Sequence, residues 1–427
     1  MMRSFNNPPS QTQTVFDWSS ISDFYTQATP YFPVAIAGAI VWGLWLYRFI
    51  LSRRAKPYVT DFEATTSVIV PSFHEDPDIL MSALDSWRQQ RPTEIIIVLD
   101  VEDLEAYRRI TALGDKTIRP VLFHHVGKRS ALGAGVRLAQ YDILVLTDSD
   151  TWWMPGLLRN VQMPFADPLV GAVGTHQNVY QRDTSIWRRV ADWMVNLRYL
   201  DYVPAMGRAG AVPCISGRTA VYRRDAVLLV LDHLENEYFM GRRCISGDDG
   251  RLTWLVLASG YKTVHQSTAR ALSMFPSTFG AFVKQRVRWS RNSYRCYLTA
   301  IAMGWLWRVP FVTKVTVLQI LLTPVTMGLT VFYLVFNRLD PTPLGFTAAA
   351  CWLLLGRGIR GISHLRRQPK DILILPVLAL TVILVALPIK VYAFATMNRQ
   401  GWLTRHADQT GGDGQDAQSL TPKEVSS

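Results

Sequence analysis

Cysteine is scarce in this chain, with four in 427 residues, at Cys214, Cys244, Cys296 and Cys351. No two stand in a C-x-x-C spacing, so neither a disulfide framework nor a zinc site is indicated. Acidic residues are also in short supply: 33 Asp and Glu face 45 Lys and Arg, for a formal net charge of +12. An early basic segment leading into a short apolar stretch is missing, and the first 30 residues are polar, so no cleavable signal is expected. Apolar residues, in contrast, make up 49% of the chain, and mean hydropathy is +0.09. That composition predicts membrane spans beside a large folded domain. A basic balance suits nucleic acid or an anionic membrane surface. Here the cations gather beside apolar runs, at Arg53, Arg54 and Lys56 and again from Arg357 to Lys370. The membrane reading is preferred and no nucleic-acid partner is expected.

Along the chain, residues 1–32 read as a flexible N-terminus and 33–51 as a membrane helix in which Arg48 can snorkel. The flank from Arg53 to Lys56 puts the C-terminal end of that helix in the cytoplasm. Residues 57–270 have an α/β pattern. Buried strands are expected at 67–70, 94–99, 121–125, 143–147 and 170–174, with helices at 79–88, 104–113, 131–139 and 251–258. The run from Ile143 to Leu146 does not alternate, as in a strand covered on both faces of a parallel sheet. Residues 186–200 carry a helical apolar stripe, read as a helix packed on the sheet. Residues 271–310 read as interfacial helices, 311–362 as two membrane helices and 371–396, interrupted by Pro376 and Pro388, as a re-entrant or interfacial segment. Residues 397–427 end in a polar, disordered tail.

Chemistry collects at the strand ends. Asp148, Ser149 and Asp150 follow the 143–147 strand, and two carboxylates one residue apart can share a hard cation, Mg²⁺ or Mn²⁺, that also holds a diphosphate. Glu75 and Asp100 follow two other strands, so three acids converge on one sheet edge. Each could instead cap the next helix. Lys128 and Arg129 could be solvated or could neutralise phosphate oxygens. Cys214 reads as a small buried hydrophobe, without an adjacent His to make it a nucleophile. Asp248 and Asp249 open a helix, where a carboxylate stays ionised and can cap the helix or act as a general base. Gln285, Arg288 and Trp289 fall on one face of a helix over 282–300.

These motifs, in this order, resemble the processive family-2 glycosyltransferases, most nearly hyaluronan synthases and rhizobial chito-oligosaccharide synthases. The resemblance runs over about residues 60–405. It rests on Ile69 to Asp76, Gly127 to Arg129, Asp148 to Thr151, Cys214 to Gly217, Phe239 to Gly241 leading to Gly247 to Asp249, Lys284 to Trp289 with its Q-x-x-R-W, and Gly401 to Arg405. It implies an α/β fold class: a cytosolic GT-A (Rossmann-like) domain combined with an α-helical transmembrane bundle and interfacial helices, multi-pass in the plasma membrane. It implies inverting transfer from a UDP-sugar with Mg²⁺ or Mn²⁺ to a growing polysaccharide or oligosaccharide, with membrane lipid as surroundings. By the same resemblance, Asp100 lies at the uridine, Lys128 at the diphosphate, Asp148 and Asp150 at nucleotide and metal, and Asp249 is the base. Gln285, Arg288 and Trp289 bind diphosphate and acceptor from a gating helix, and Cys214 lies by the acceptor sugar. The chain departs from the family pattern at Val101 and Glu102, at Arg218 in place of proline, at the extra Gly250, and at Leu403 in place of glycine. It also has one N-terminal span where two are common. Two other readings remain: single transfer to a lipid acceptor, and a non-enzymatic basic membrane protein.

Overall fold

A computed structural model describes residues 32–124, 126–336 and 343–401. Most of the expected flexible N-terminus and everything from Trp402 onward, including the element ending at Arg405, lie outside the described residues.

The α/β domain is built on an eight-stranded sheet of order β3-β2-β1-β4-β7-β6-β10-β5. The strands are β1 (Thr66–Ser72), β2 (Glu94–Asp100), β3 (Ile118–Phe123), β4 (Ile143–Thr147), β5 (Thr151–Trp153), β6 (Val170–Val179), β7 (Thr219–Arg223) and β10 (Lys262–Ser273). A separate hairpin pairs β8 (Tyr238–Phe239) with β9 (Arg242–Arg243). The apolar runs in β1, β2 and β4 are buried throughout because helices cover both faces; Val68, Ile69, Ile96, Ile97, Leu144 and Val145 are wholly inaccessible. Two cores result. One holds Ile69, Ile96, Leu144 and Trp193, and the other holds Val68, Ile97, Val145 and Trp87.

β1 to β4 run parallel, so their carboxyl ends open on one edge. The remainder of the sheet is mixed rather than parallel: β7 runs antiparallel between β4 and β6, and β5 runs antiparallel to β10. Neither β5 nor β10 was expected from the sequence. β5 has three residues, and β10 buries the polar His265, Gln266 and Ser273, so no apolar alternation marks it.

Most of the longer helices overlap the stretches where the apolar periodicity places them, while Val203–Arg208 was not expected. They are α1 (Phe32–Arg53), α2 (Pro77–Arg88), α3 (Leu104–Thr111), α4 (Lys128–Leu138), α5 (Ile186–Leu197), α6 (Val203–Arg208), α7 (Asp248–Ala258), α8 (Phe279–Ala302), α9 (Phe311–Phe336), α10 (Pro343–Arg360) and α11 (Ala386–Ala395), with short helical turns between them. Asp76 caps α2 through the amides of Asp78 and Ile79, which leaves Glu75 free of that duty. α5 packs on β6, as its stripe requires.

Among the described residues, one helical stretch, Phe311–Leu329 in α9, is long and apolar enough to cross a membrane. Arg48 does not snorkel outward. It is 1% exposed, donates to Thr316 Oγ1 at 3.3 Å and Gln319 Oε1 at 2.7 Å, and lies over the Tyr202 ring. α1 is therefore fastened sideways to α9 and to the domain. Beyond α10 the chain turns at Gly361, where a Cβ would come 2.5 Å from the Trp193 ring. The 371–396 segment is helical but broken, with a π turn at Thr381–Val385. Pro388 lacks the N–H that would bond back to residue 384, which accounts for the break.

Candidate active site

The carboxyl edge of the sheet gathers most of the expected residues around one cavity of about 280 Å³, lined by Lys128, Asp148, Asp150, Cys214, Asp248, Asp249, Gln285, Arg288 and Trp289. Asp148 follows β4, and Lys128 is the first residue of α4. Lys128 Nζ donates to Asp148 Oδ1 at 2.8 Å and lies 3.2 Å from Asp248 Oδ2. Burial opposes the lysine's charge, but Asp148, Asp248 and Asp249 outweigh it and hold its pKa above the usual lysine range. Burial pushes the Asp148 carboxyl up, with Lys128 pulling it down and Asp150 pushing it up. Gly217 allows this close packing, since a Cβ there would stand 3.3 Å from Lys128 Nζ.

Asp248 and Asp249 occupy the first turn of α7, and the residue preceding it is Gly247 at φ +71°, with no side-chain cap. Neither aspartate is the N-cap. Asp249 Oδ1 accepts from the Gly250 amide at 2.7 Å, and its Oδ2 faces Cys214 Sγ at 3.8 Å. Burial, followed by Asp249, pushes the Cys214 thiol up to about 12, so it is a neutral donor rather than a nucleophile.

Arg129 does not face this cavity. It is 4% exposed, donates to the carbonyls of Leu234, Ser246 and Gly247, and meets Glu237 Oε2 at 2.6 Å. Glu237 also meets Arg251 Nε at 3.1 Å. The two arginines fix the turn that presents Asp248 and Asp249, so Arg129 has a structural task and not a phosphate to bind.

α8 supplies the opposite wall. Gln285 is 8% exposed and its Oε1 has no hydrogen-bond partner among the described residues. Trp289 packs edge-on to Phe275 at 6.1 Å. Three further arginines, given no role in the sequence, line the same cavity: Arg198, Arg218 and Arg286. Arg218 lies 3.9 Å over Phe275 and 5.0 Å over Trp289. Burial, then Arg218 and Arg198, pushes Arg286 down to about 9, and its Nε and Nη2 are unpartnered among the described residues. Arg198 opens a π turn, Arg198–Tyr202, and its guanidinium donates to the Cys214 carbonyl at 2.8 Å. A 3.6-residue stripe cannot reveal a side chain re-aimed by such a turn. Uncompensated guanidinium groups together with carboxylates are what a bound, metal-neutralised diphosphate requires.

Glu75 and Asp100 stand outside this cavity. Glu75 Oε2 accepts from Ser149 Oγ at 3.0 Å, between the two aspartates of the 148–150 turn. Asp100 ends β2, and one of its oxygens can come within 4.8 Å of ligand atoms from His74 and Glu102. His74 takes φ +48°, held by its amide to Asp103 at 2.9 Å. A second close group, Asp192, His364 and Asp371, is filled by ion pairs from Arg182 and Arg189 and clasps α5 to the segment after α10.

Asp148 and Asp150 fit a divalent cation by donor chemistry. They are all-oxygen ligands one residue apart, and Lys128 bonds Asp148 only through Oδ1. A second cavity of about 220 Å³ adjoins the first, sharing Met194, Arg198, Cys214 and Tyr297, and reaches Thr316 and Ile320 on α9.

Comparison with known proteins bears on the family and the fold. An N-acetylglucosaminyltransferase of Sinorhizobium fredii is 29% identical over 357 residues, covering 80% of this chain and 84% of its own. A hyaluronan synthase of Streptococcus pyogenes is 25% identical over 392 residues, covering 87% and 91%. The fold matches that of a Pyrobaculum calidifontis mannosyltransferase, PcManGT, solved with GDP-Man and Mn²⁺, at a TM-score of 0.58, 21% identity and coverage of 83% of this chain and 99% of that one. The profile named "Glycosyltransferase like family 2" matches residues 64–292, more than half the chain. With its GT-A sheet and the carboxylates at its open edge, the chain belongs to glycosyltransferase family 2.

Proposed function

We propose that this protein is a membrane-embedded, inverting synthase that transfers sugars from UDP-sugar donors, with Mg²⁺ or Mn²⁺, to a growing hyaluronan- or chitin-like polysaccharide and exports it. The observation that carries this reading is the single cavity in which Asp148, Lys128, Asp249 and the Gln285, Arg288, Trp289 face of α8 meet, beside a second cavity that shares Cys214 and Tyr297 with it and reaches α9. The relatives, an N-acetylglucosaminyltransferase and a hyaluronan synthase, support the donor class and the polymer. Cytoplasmic placement of the 57–270 domain, with spans at 33–51 and in 311–362, is part of the same proposal.

The residues divide the work as follows. Asp148 and Asp150 would hold the cation, which when bound supplies Lewis-acid neutralisation of the leaving diphosphate. Lys128, Arg288 and Arg286 bring positive charge to the same phosphates. Asp100 lies toward the uridine, and Glu75 steadies the 148–150 turn through Ser149. Asp249 accepts the proton of the acceptor hydroxyl. That oxygen bonds to the anomeric carbon as the carbon–phosphate oxygen bond breaks on the opposite face, and the electron pair leaves with UDP. Asp248 keeps Lys128 in place, and Cys214 and Trp289 border the acceptor sugar.

The apolar residues of the second cavity, among them Leu197, Val203, Met206 and Ile320, would also accommodate a lipid acceptor. Product size separates the two readings. A ladder extending to long polymer supports the synthase; a single added sugar on extracted lipid would replace it with the lipid-directed enzyme.

A further inference from the structure

A cavity of about 930 Å³, which shares Tyr199 with the active-site cavity but none of its acids, lies where the chain leaves α1 and meets the α/β domain. Its lining holds six cations, Arg53, Arg54, Lys56, Arg208, Arg270 and Arg367, and no carboxylate. Only Arg53 has a carboxylate partner among the described residues, Asp201 at 3.2 Å. Burial, then Arg270 and Arg53 as like charges, lowers the pKa of Arg367, against a smaller pull upward from Asp192. His176, also in the lining, is 1% exposed, and its Nε2 has no hydrogen-bond partner among the described residues. The chain brings these groups together from five places: the end of α1 and the residues just after it, β6, α6, β10 and the segment after α10. None of the chemistry assigned to the active site uses them. Like charges held around an open cavity repel one another unless an anion enters. The volume is that of a small-molecule site and exceeds what a lone phosphate needs.

We propose that this cavity is a second binding site, for a phosphate-bearing anion, and that its source is the headgroup of an anionic lipid. The headgroup source rests on reading α1 as a membrane span. Arg53, Arg54 and Lys56 then lie where the helix leaves the bilayer, at the depth of the headgroups, where polybasic segments attract anionic lipid. The cations themselves require only the phosphate.

The test uses the purified full chain in a neutral detergent and measures binding of three probes: dioctanoyl phosphatidylglycerol, dioctanoyl phosphatidylcholine and inorganic pyrophosphate. The first should bind saturably at one site per chain and the second should not; this comparison needs no variant. Lys56→Gln with Arg367→Gln, both exposed and outside the active site, should weaken binding at least tenfold. Arg366→Gln, adjacent but outside the cavity lining, should change it less than twofold. Pyrophosphate binding that responds to the same double variant upholds the anion site, and if phosphatidylglycerol does not bind, the source is soluble. Absence of binding by both anions, or equal weakening by the Arg366 control, overturns the anion site, and absence of phosphatidylglycerol binding alone overturns the lipid source. UDP release is read in parallel with each donor, so failure of this site and failure of the transferase reading are separate results.

Discussion

Lys128 Nζ is bonded to Asp148 Oδ1 at 2.8 Å, which ties the first turn of α4 to the carboxyl end of β4. The same ammonium stands 3.2 Å from Asp248, so one lysine organises both acidic segments of the site. Lys128→Gln is one atom shorter, removes the charge and leaves Asp148 and Asp248 without the ammonium they share. Transfer should fall by about 10²-fold or more, as for loss of a fixed electrostatic stabiliser. Steady-state rates on purified protein check this; a fall of less than about fivefold would contradict it.

Asp249→Asn should reduce turnover by about 10²–10⁴-fold, the range for loss of a general base. UDP binding should stay within about twofold, because Asp249 points to Cys214 rather than to Lys128. Calorimetric UDP affinity and turnover, measured on the same preparation, read the two effects separately. Equal turnover in variant and parent would remove Asp249 from that role.

Cys214 should remain a thiol at neutral pH, with burial and Asp249 holding its pKa at about 12. A free thiol titrates near 8.5, so its alkylation levels off above about pH 9.5. For Cys214, the iodoacetamide rate should still climb about tenfold per pH unit from 8 to 10, read by peptide mass spectrometry. A plateau would show an ordinary thiol.

Arg129→Gln should destabilise the fold rather than affect nucleotide binding directly. It leaves Glu237 buried with Arg251 alone, and breaking a buried ion pair costs about 3–5 kcal/mol. Thermal unfolding against Arg108→Gln, an exposed control on α3, measures the difference. Similar midpoints would return Arg129 to the surface.

The central strands were readable because runs such as Ile143 to Leu146 have no polar alternation, and the acids beyond β1, β2 and β4 follow from their parallel direction. β10 was not readable, since buried polar residues on it find partners distant in sequence; Gln266 Nε2, for instance, donates to the carbonyls of Tyr58 and Asn160. Lys128 and Arg129 are adjacent and look equivalent in sequence, yet a helix turns neighbours about 100° apart, so one faces the aspartates and the other faces Glu237. Arg48 looked like a snorkelling residue because Thr316 and Gln319, which hold it, lie in a helix more than 260 positions away. Arg198 escaped notice because a π turn re-aims it.

The central claim is transfer from a UDP-sugar, and UDP release from the purified full chain tests it most directly. UDP-GlcNAc alone, UDP-glucuronate alone and the two together are supplied with Mn²⁺ or Mg²⁺, with Asp249→Asn and excess EDTA as blanks. The account predicts release that both blanks abolish: dependence on both donors indicates a hyaluronan-like product, and release with UDP-GlcNAc alone a chitin-like one. No release from any UDP-sugar, or release unchanged by EDTA and by Asp249→Asn, would contradict it.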